Sequence, residues 1–171
     1  MNIFALSHSP IVSAQMQHDK HVVKMVLESA QMLCSTFDPN VYDVPYKRVH
    51  YNHPCTKWAR ENIGNFFWLV NHGLALASEY THRYGKVHMS EKVIKWCKKN
   101  ILSTDISKHP TITPFAQAMP DEYKDKYSVL AYRKYYVGEK LHNAKWTNRP
   151  IPKLFQPYRT RDWPNGTPSR D

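Results

Sequence analysis

The stretch HDKHVVKMVLES, His18 to Ser29, decides the reading of the fold. Val22, Val23, Val26, Leu27 and Ala30 follow the three- and four-residue steps of a helix and supply apolar surface to bury. His18, His21, Met25 and Glu28 share another face, with Lys20 and Lys24 in a neighbouring row. The helix is half core and half something else. Upstream, Ser9 before Pro10 forms a cap and first-turn proline, and the apolar pattern runs on to about Phe37, which predicts one long helix.

Working outward, DPNVYDVPYKRVHYN, Asp38–Asn52, has no sustained period and reads as a loop. Asn52 or His53 ahead of Pro54 caps a second long helix that carries Trp58, Phe66, Trp68, Leu69 and Leu76 and stops at Gly85. Ser90 opens a third helix that ends near Asn100, residues 105–120 form a surface loop, and a fourth helix is expected over Asp121–Leu141. Beyond it, Pro150, Pro152, Pro157, Pro164 and Pro168 exclude long helices. The expected fold is mainly α. A single compact domain of three to four long helices spans 1–171, with an extended N-terminal segment and an extended Pro-rich, basic-aromatic tail, 143–171, packed on it.

Lys and Arg number 24 against 14 Asp and Glu, a formal charge of +10 in 171 residues, which points to a polyanion and to nucleic acid before a membrane surface. No apolar run approaches the roughly 20 residues of a membrane span, and MNIFALSHSP does not read as a signal peptide, so a soluble, cytoplasmic protein is expected. Cys34, Cys55 and Cys97 are odd in number and contain no C-x-x-C pair; they read as buried, reduced thiols.

Three groups of residues carry chemistry. In the last third, Tyr132, Arg133, Lys134, Tyr135, Tyr136, Lys145, Trp146, Arg149, Tyr158, Arg159, Arg161 and Trp163 alternate flat rings with cations, a composition suited to phosphates and unstacked bases. Ten histidines, among them the pairs His18/His21 and His50/His53 with His82 and His88, invite a metal, but H-E-x-x-H is absent and no acidic residue stands at a matching spacing except Asp19, which points away from the shared face, so no metal or cofactor is assigned. Glu28 lies between Leu27 and Ser29 on a helix with a core to build, where an unpaired carboxylate is costly. Either it pairs with Lys24 one turn earlier, or it serves a cationic sugar or a proton transfer.

At these residues the chain resembles the small pyrimidine-dimer DNA glycosylases with lyase activity, the phage repair enzymes also called endonuclease V. HVVKMVLE sets His21 two turns ahead of Glu28, as in the family's catalytic helix; HPCTKWARENIGNFFWLVNHGLALASEYTHRYGK resembles its long middle helix; and YRKYYVGEK resembles its DNA-bordering aromatic-basic segment. The resemblance implies that the chain's leading amine attacks C1′ of a damaged nucleotide, displaces the base and forms an imine that eliminates the strand. An α-amine titrates near about 8, so a useful fraction is a free nucleophile at neutral pH. Asn2 is too bulky a second residue for removal of the initiator, so the amine would be that of Met1, with Asn2 beside it, Glu28 steadying the positive sugar and His21 orienting. Leu27 and Gln31 stand where the family carries DNA-gripping arginines.

The expected function is a DNA glycosylase with abasic-site lyase activity on a damaged or modified pyrimidine, monomeric and acting on double-stranded DNA. The expected DNA contacts are His18, Lys20, Lys24, His53, Arg60, Arg83, Lys86, Arg133, Lys134 and Trp146. Two alternatives are a phage enzyme that modifies thymine-derived bases on the same fold and a non-enzymatic DNA-binding protein; a metal-dependent nuclease is a further one.

Overall fold

Ser9 accepts a hydrogen bond from Val12 N and Pro10 occupies the first turn, which starts α1, Pro10–Met16. The computed structural model describes residues 1–158. In them follow α2, Asp19–Cys34; α3, Pro54–Glu61; α4, Ile63–Tyr84; α5, Glu91–Asn100; and α6, Ser128–Glu139. Single 3-10 turns lie at Ile101–Ser103, Asp121–Tyr123 and Lys153–Tyr158. Among the described residues there is no strand, as an all-helical fold requires.

The two longest helices expected from the sequence are each divided in two, and tertiary hydrogen bonds are the reason. Gln17 and His18 are extended (ψ 140° and 167°). The Gln17 amide nitrogen reaches Phe4 O at 3.4 Å and His72 Nε2 at 3.1 Å, and His18 N donates to Tyr136 Oη at 2.9 Å. These partners come from distant parts of the chain, so local periodicity cannot report them. The second break is at Asn62, extended at φ −156° and ψ 169°, whose side chain caps α4 by accepting from Asn65 N. There Ile63 N donates to Ser107 O, and the backbone of Pro110 occupies the space a Cβ on Gly64 would need.

α4 ends as expected at Gly85, whose φ of +66° favours glycine, and α5 matches its expected span. The expected fourth helix is shorter at its start. Gln117 exchanges hydrogen bonds with the Asp125 backbone, and Asp125 accepts from Tyr127 N, which holds 124–127 out of the helix until Ser128.

α4 packs against α1, α2, α3 and α5. At Gly73, Ser29 of α2 and Ile94 of α5 occupy the space a Cβ would need. From α2 the core takes Val22, Met25, Val26, Ser29, Ala30 and Leu33; Val23 and Leu27, expected inside, are 42% and 39% exposed. Turning Val22, Val26 and Leu33 inward rotates positions 23 and 27 out by helical geometry.

Three residues expected at DNA, His18, Arg83 and Trp146, are interior instead. Arg83 has a side chain 0% exposed and bonds Asp19 Oδ1 at 3.0 Å, Glu79 Oε2 at 3.1 Å and Gln15 O at 3.3 Å. Arg149 completes the network on Glu79 Oε1 at 2.5 Å, and Thr147 donates to Asp19. Burial raises the Glu79 pKa, but the bond to Arg149 and the charges of both arginines outweigh it and hold the carboxyl below its ordinary range. Trp146 is buried and donates its indole N–H to Met16 O at 3.1 Å. The network fastens Thr147 and Arg149 to α2 and α4, and Phe155 stacks on Tyr136 at 5.3 Å. Arg159, Arg161, Trp163, Pro164 and Pro168, named in the sequence reading, lie outside the described residues.

Arg83→Met would leave Glu79 with Arg149 alone and Asp19 with only the Thr147 donors, so it is expected to lower the unfolding free energy by about 3 kcal/mol in urea denaturation. DNA affinity of the protein still folded should stay unchanged; a variant that keeps its stability and loses DNA affinity would return Arg83 to the interface.

Candidate active site

The first four residues fold back onto α2 through a strained turn. Phe4 has a φ of +38°, an unfavourable conformation for a bulky residue, on the order of 1–3 kcal/mol. The turn is over-determined. Phe4 O accepts from Leu6 N (2.8 Å), Ser13 Oγ (3.0 Å) and the Gln17 amide (3.4 Å). Its ring stacks on His21 at 4.1 Å and on Tyr135 at 6.1 Å. Asn2 braces the same turn: its Oδ1 accepts from Ile3 N at 2.8 Å and Phe4 N at 3.2 Å, and its Nδ2 donates to Ala118 O at 2.8 Å.

The turn delivers the head of the chain to Glu28. Asn2 N donates to Glu28 Oε2 at 2.9 Å, and the Met1 amine stands 3.8 Å from the same oxygen. Lys24, one turn earlier on α2, places Nζ 3.3 Å from Oε1. Glu28 thus holds Lys24 on one oxygen and faces the chain's first two nitrogens with the other. Glu28 is 7% exposed, so these three donors meet most of a carboxylate's demand where water has little access.

The first turn of α3 forms the adjoining wall. Thr56 Oγ1 is 3.4 Å from Met1 Sδ, and His53 Nδ1 accepts from Cys55 N at 3.2 Å, capping α3. The His53 pKa is lowered, first by burial and then by the nearby α-amine and His50, against an opposing pull from Glu28. Met1, Asn2, Glu28, Lys24 and His53 thus form one cluster from three separate parts of the chain.

His21 lies apart from that carboxylate. It stacks on Phe4, with the His18 ring at 4.1 Å and Tyr136 at 5.3 Å. Burial above all pushes His21 down to about 2, helped by His18, Lys140 and Lys24, and pushes His18 down to about 4. Both rings are therefore neutral, and the Nδ1 of each has no hydrogen-bond partner among the described residues. Among the described residues no group of three or more His, Cys, Asp and Glu side chains could hold a metal ion. His82 is bonded to Asn148 O, and His88 to Val23 O.

Of the remaining expected DNA contacts, Lys20, Lys24 and Lys86 are exposed. Arg60 lies over the Tyr51 ring at 3.7 Å and donates to Tyr51 O. Arg133 is half-buried on Leu6 O, and Lys134 pairs with Asp125 at 2.7 Å. The sequence reading missed Phe4 and Thr56. An aromatic inside the first apolar run, NIFAL, was a weak signal for Phe4; Thr56 left none, because its role depends on where Met1 arrives.

A family model described as pyrimidine dimer DNA glycosylase matches residues 1–92, more than half of the chain and all five residues of the cluster. No curated protein and no solved structure matches.

The depressed histidines make stability pH-dependent. His18 and His72 (both about 4) and His21 (about 2) stay neutral in the fold, while in the unfolded chain they protonate below the ordinary value of 6.5. The unfolded state then binds more protons, so stability is complete above 6.5 and falls as pH drops towards the folded-state values, by ~1.4 kcal/mol per pH unit for each histidine. Thermal scans should show a lower Tm at pH 5 than at pH 7.5, and His72→Asn should narrow the gap; equal Tm values would contradict neutral burial.

Proposed function

The chain belongs to the pyrimidine dimer DNA glycosylase family, and from that premise we propose that it excises a damaged or modified pyrimidine from double-stranded DNA and then nicks the strand as an abasic-site lyase. The single observation that carries the proposal is the meeting of the chain's first nitrogens with Glu28, at 2.9 and 3.8 Å.

In the proposed reaction the lone pair of the Met1 α-amine attacks C1′ of an everted nucleotide. The glycosidic bond breaks, and the base leaves with its electron pair and takes up a proton. The amine nitrogen loses its proton as the C1′–O4′ bond opens, giving an imine. Removal of a C2′ proton then expels the 3′ phosphate by β-elimination, and water releases the sugar remnant from the amine. Glu28 is the group suited to take the nitrogen's proton and to face the cationic sugar and iminium, because Oε2 already points at that nitrogen. Lys24 on Oε1 restrains the carboxylate so that Oε2 keeps its aim. Asn2 and the strained Phe4 turn hold the nucleophile in register, an orientation worth several kcal/mol of barrier in such reactions.

The formal charge of +10 and the exposed Lys20, Lys24 and Lys86 support duplex DNA as the partner through phosphate neutralisation. Eversion of the reacting nucleotide is required because C1′ is shielded within the stack. Leu27, 39% exposed immediately before Glu28, replaces the family's arginine with an apolar side chain on this surface. The substrate class that follows is an altered pyrimidine.

Borohydride reduction of a mixture with duplex carrying an abasic site or a pyrimidine dimer should trap a covalent protein–DNA adduct through the residue that intact mass identifies as first. Blocking the amine should abolish trapping. Glu28→Gln should slow it on the order of 10²-fold or more while affinity for the duplex stays near wild type. A wild-type protein that traps neither substrate would remove the lyase chemistry; a Glu28→Gln protein as active as wild type would remove Glu28 from it.

A further inference from the structure

A neutral imidazole has one ring nitrogen that accepts and one that donates. In His53 the acceptor is already committed, because Nδ1 takes the hydrogen bond of Cys55 N that caps α3. The ring proton is therefore on Nε2, and Nε2–H has no partner among the described protein groups. His53 is half-buried, and its ordinary pKa is depressed by burial and by the α-amine, so the cap is kept by a neutral ring. Locked in this tautomer, His53 cannot serve as a base without breaking the helix cap. It is a fixed donor with an open valence.

Its surroundings select the acceptor. Thr56, one turn along α3, touches Met1, so the donor stands on the wall beside the nucleophile. His50 and Lys57 are exposed nearby in the chain, and Arg48 and Arg60 flank the Tyr51 ring at 4.5 and 3.7 Å. Glu61, the acidic residue at the end of α3, is bonded to Asn65 and Thr113. One donor near the amine, with several cations close to it in the chain, suits an anion. In a nucleotide whose C1′ lies at the amine, the anionic oxygens are those of the flanking phosphates.

Resting on the glycosylase and lyase reading above, we infer that His53 Nε2–H donates to a non-bridging oxygen of a phosphate adjoining the attacked sugar and so holds C1′ against the α-amine. His53 is then a substrate-binding residue whose protonation state is fixed by the fold, and proton transfer is left to Glu28.

Two substitutions separate the donor from the cap. Asn mimics Nδ1 of histidine and Gln mimics Nε2. His53→Asn should keep the Tm near wild type and slow single-turnover borohydride trapping on the order of 10²-fold; His53→Gln should lower the Tm and retain most of the trapping rate. The acceptor is tested with duplexes carrying a neutral methylphosphonate at the phosphate 5′ or 3′ to an abasic site. At one of these positions the wild type should slow by a factor similar to that of His53→Asn, and His53→Asn should suffer no further loss there. Full trapping by His53→Asn, or losses that multiply at both positions, would overturn the inference. A wild-type protein that fails to trap the unmodified abasic duplex would instead overturn the functional reading on which it rests.

Discussion

A carboxylate placed on the packing side of an amphipathic helix is the constraint to which the rest of this molecule answers. Glu28 is 7% exposed, and a charge in that position persists only if donors meet it. α2 supplies one, Lys24. The others come from the opposite direction, Asn2 N and the Met1 amine, and to bring them there the chain adopts a positive φ at Phe4 and buries residues 2 to 6. The electrostatic need of one side chain thus accounts for the path of the N-terminal segment, and that path brings the chain's first amine and this carboxylate together.

The Phe4 turn persists because several independent contacts agree on it. Three donors meet its carbonyl, and its ring lies between His21 and Tyr135. His21, His18 and Tyr136 form an uncharged polar and aromatic layer behind that ring. Keeping the imidazoles neutral avoids placing more positive charge beside Lys24 and the amine, which already compete for Glu28. His72 and Gln17 extend this layer to α4, so the break between α1 and α2 belongs to the same construction as the active cluster.

The charges divide into two populations. Arg83, Arg149, Glu79 and Asp19 are two cations and two anions bonded to one another, and they cancel while fastening the tail to the helices. The excess of +10 therefore comes from other residues, exposed lysines among them, which are available to a polyanion. An arginine in a basic, aromatic sequence thus has two possible fates, and composition does not distinguish them. Arg83 neutralises carboxylates because Asp19, sixty-four positions away, is brought against it.

Whatever depends on neighbours within a turn or two was legible in the sequence: the helical class, the Ser9–Pro10 start, the His53–Pro54 start, the Gly85 stop, and the oddity of Glu28 on its helix. Periodicity and capping are local, and their energies are settled by residues close in the chain. What only the tertiary structure decided were the breaks at Gln17–His18 and Asn62, the burial of Arg83 and Trp146, the exposure of Val23 and Leu27, and the convergence of Met1, Glu28 and His53. Each of these is settled by a hydrogen bond, ion pair or packing contact between residues far apart in the chain. Such a contact leaves no periodic trace in either partner, because its free energy exists only once the fold has brought the two together.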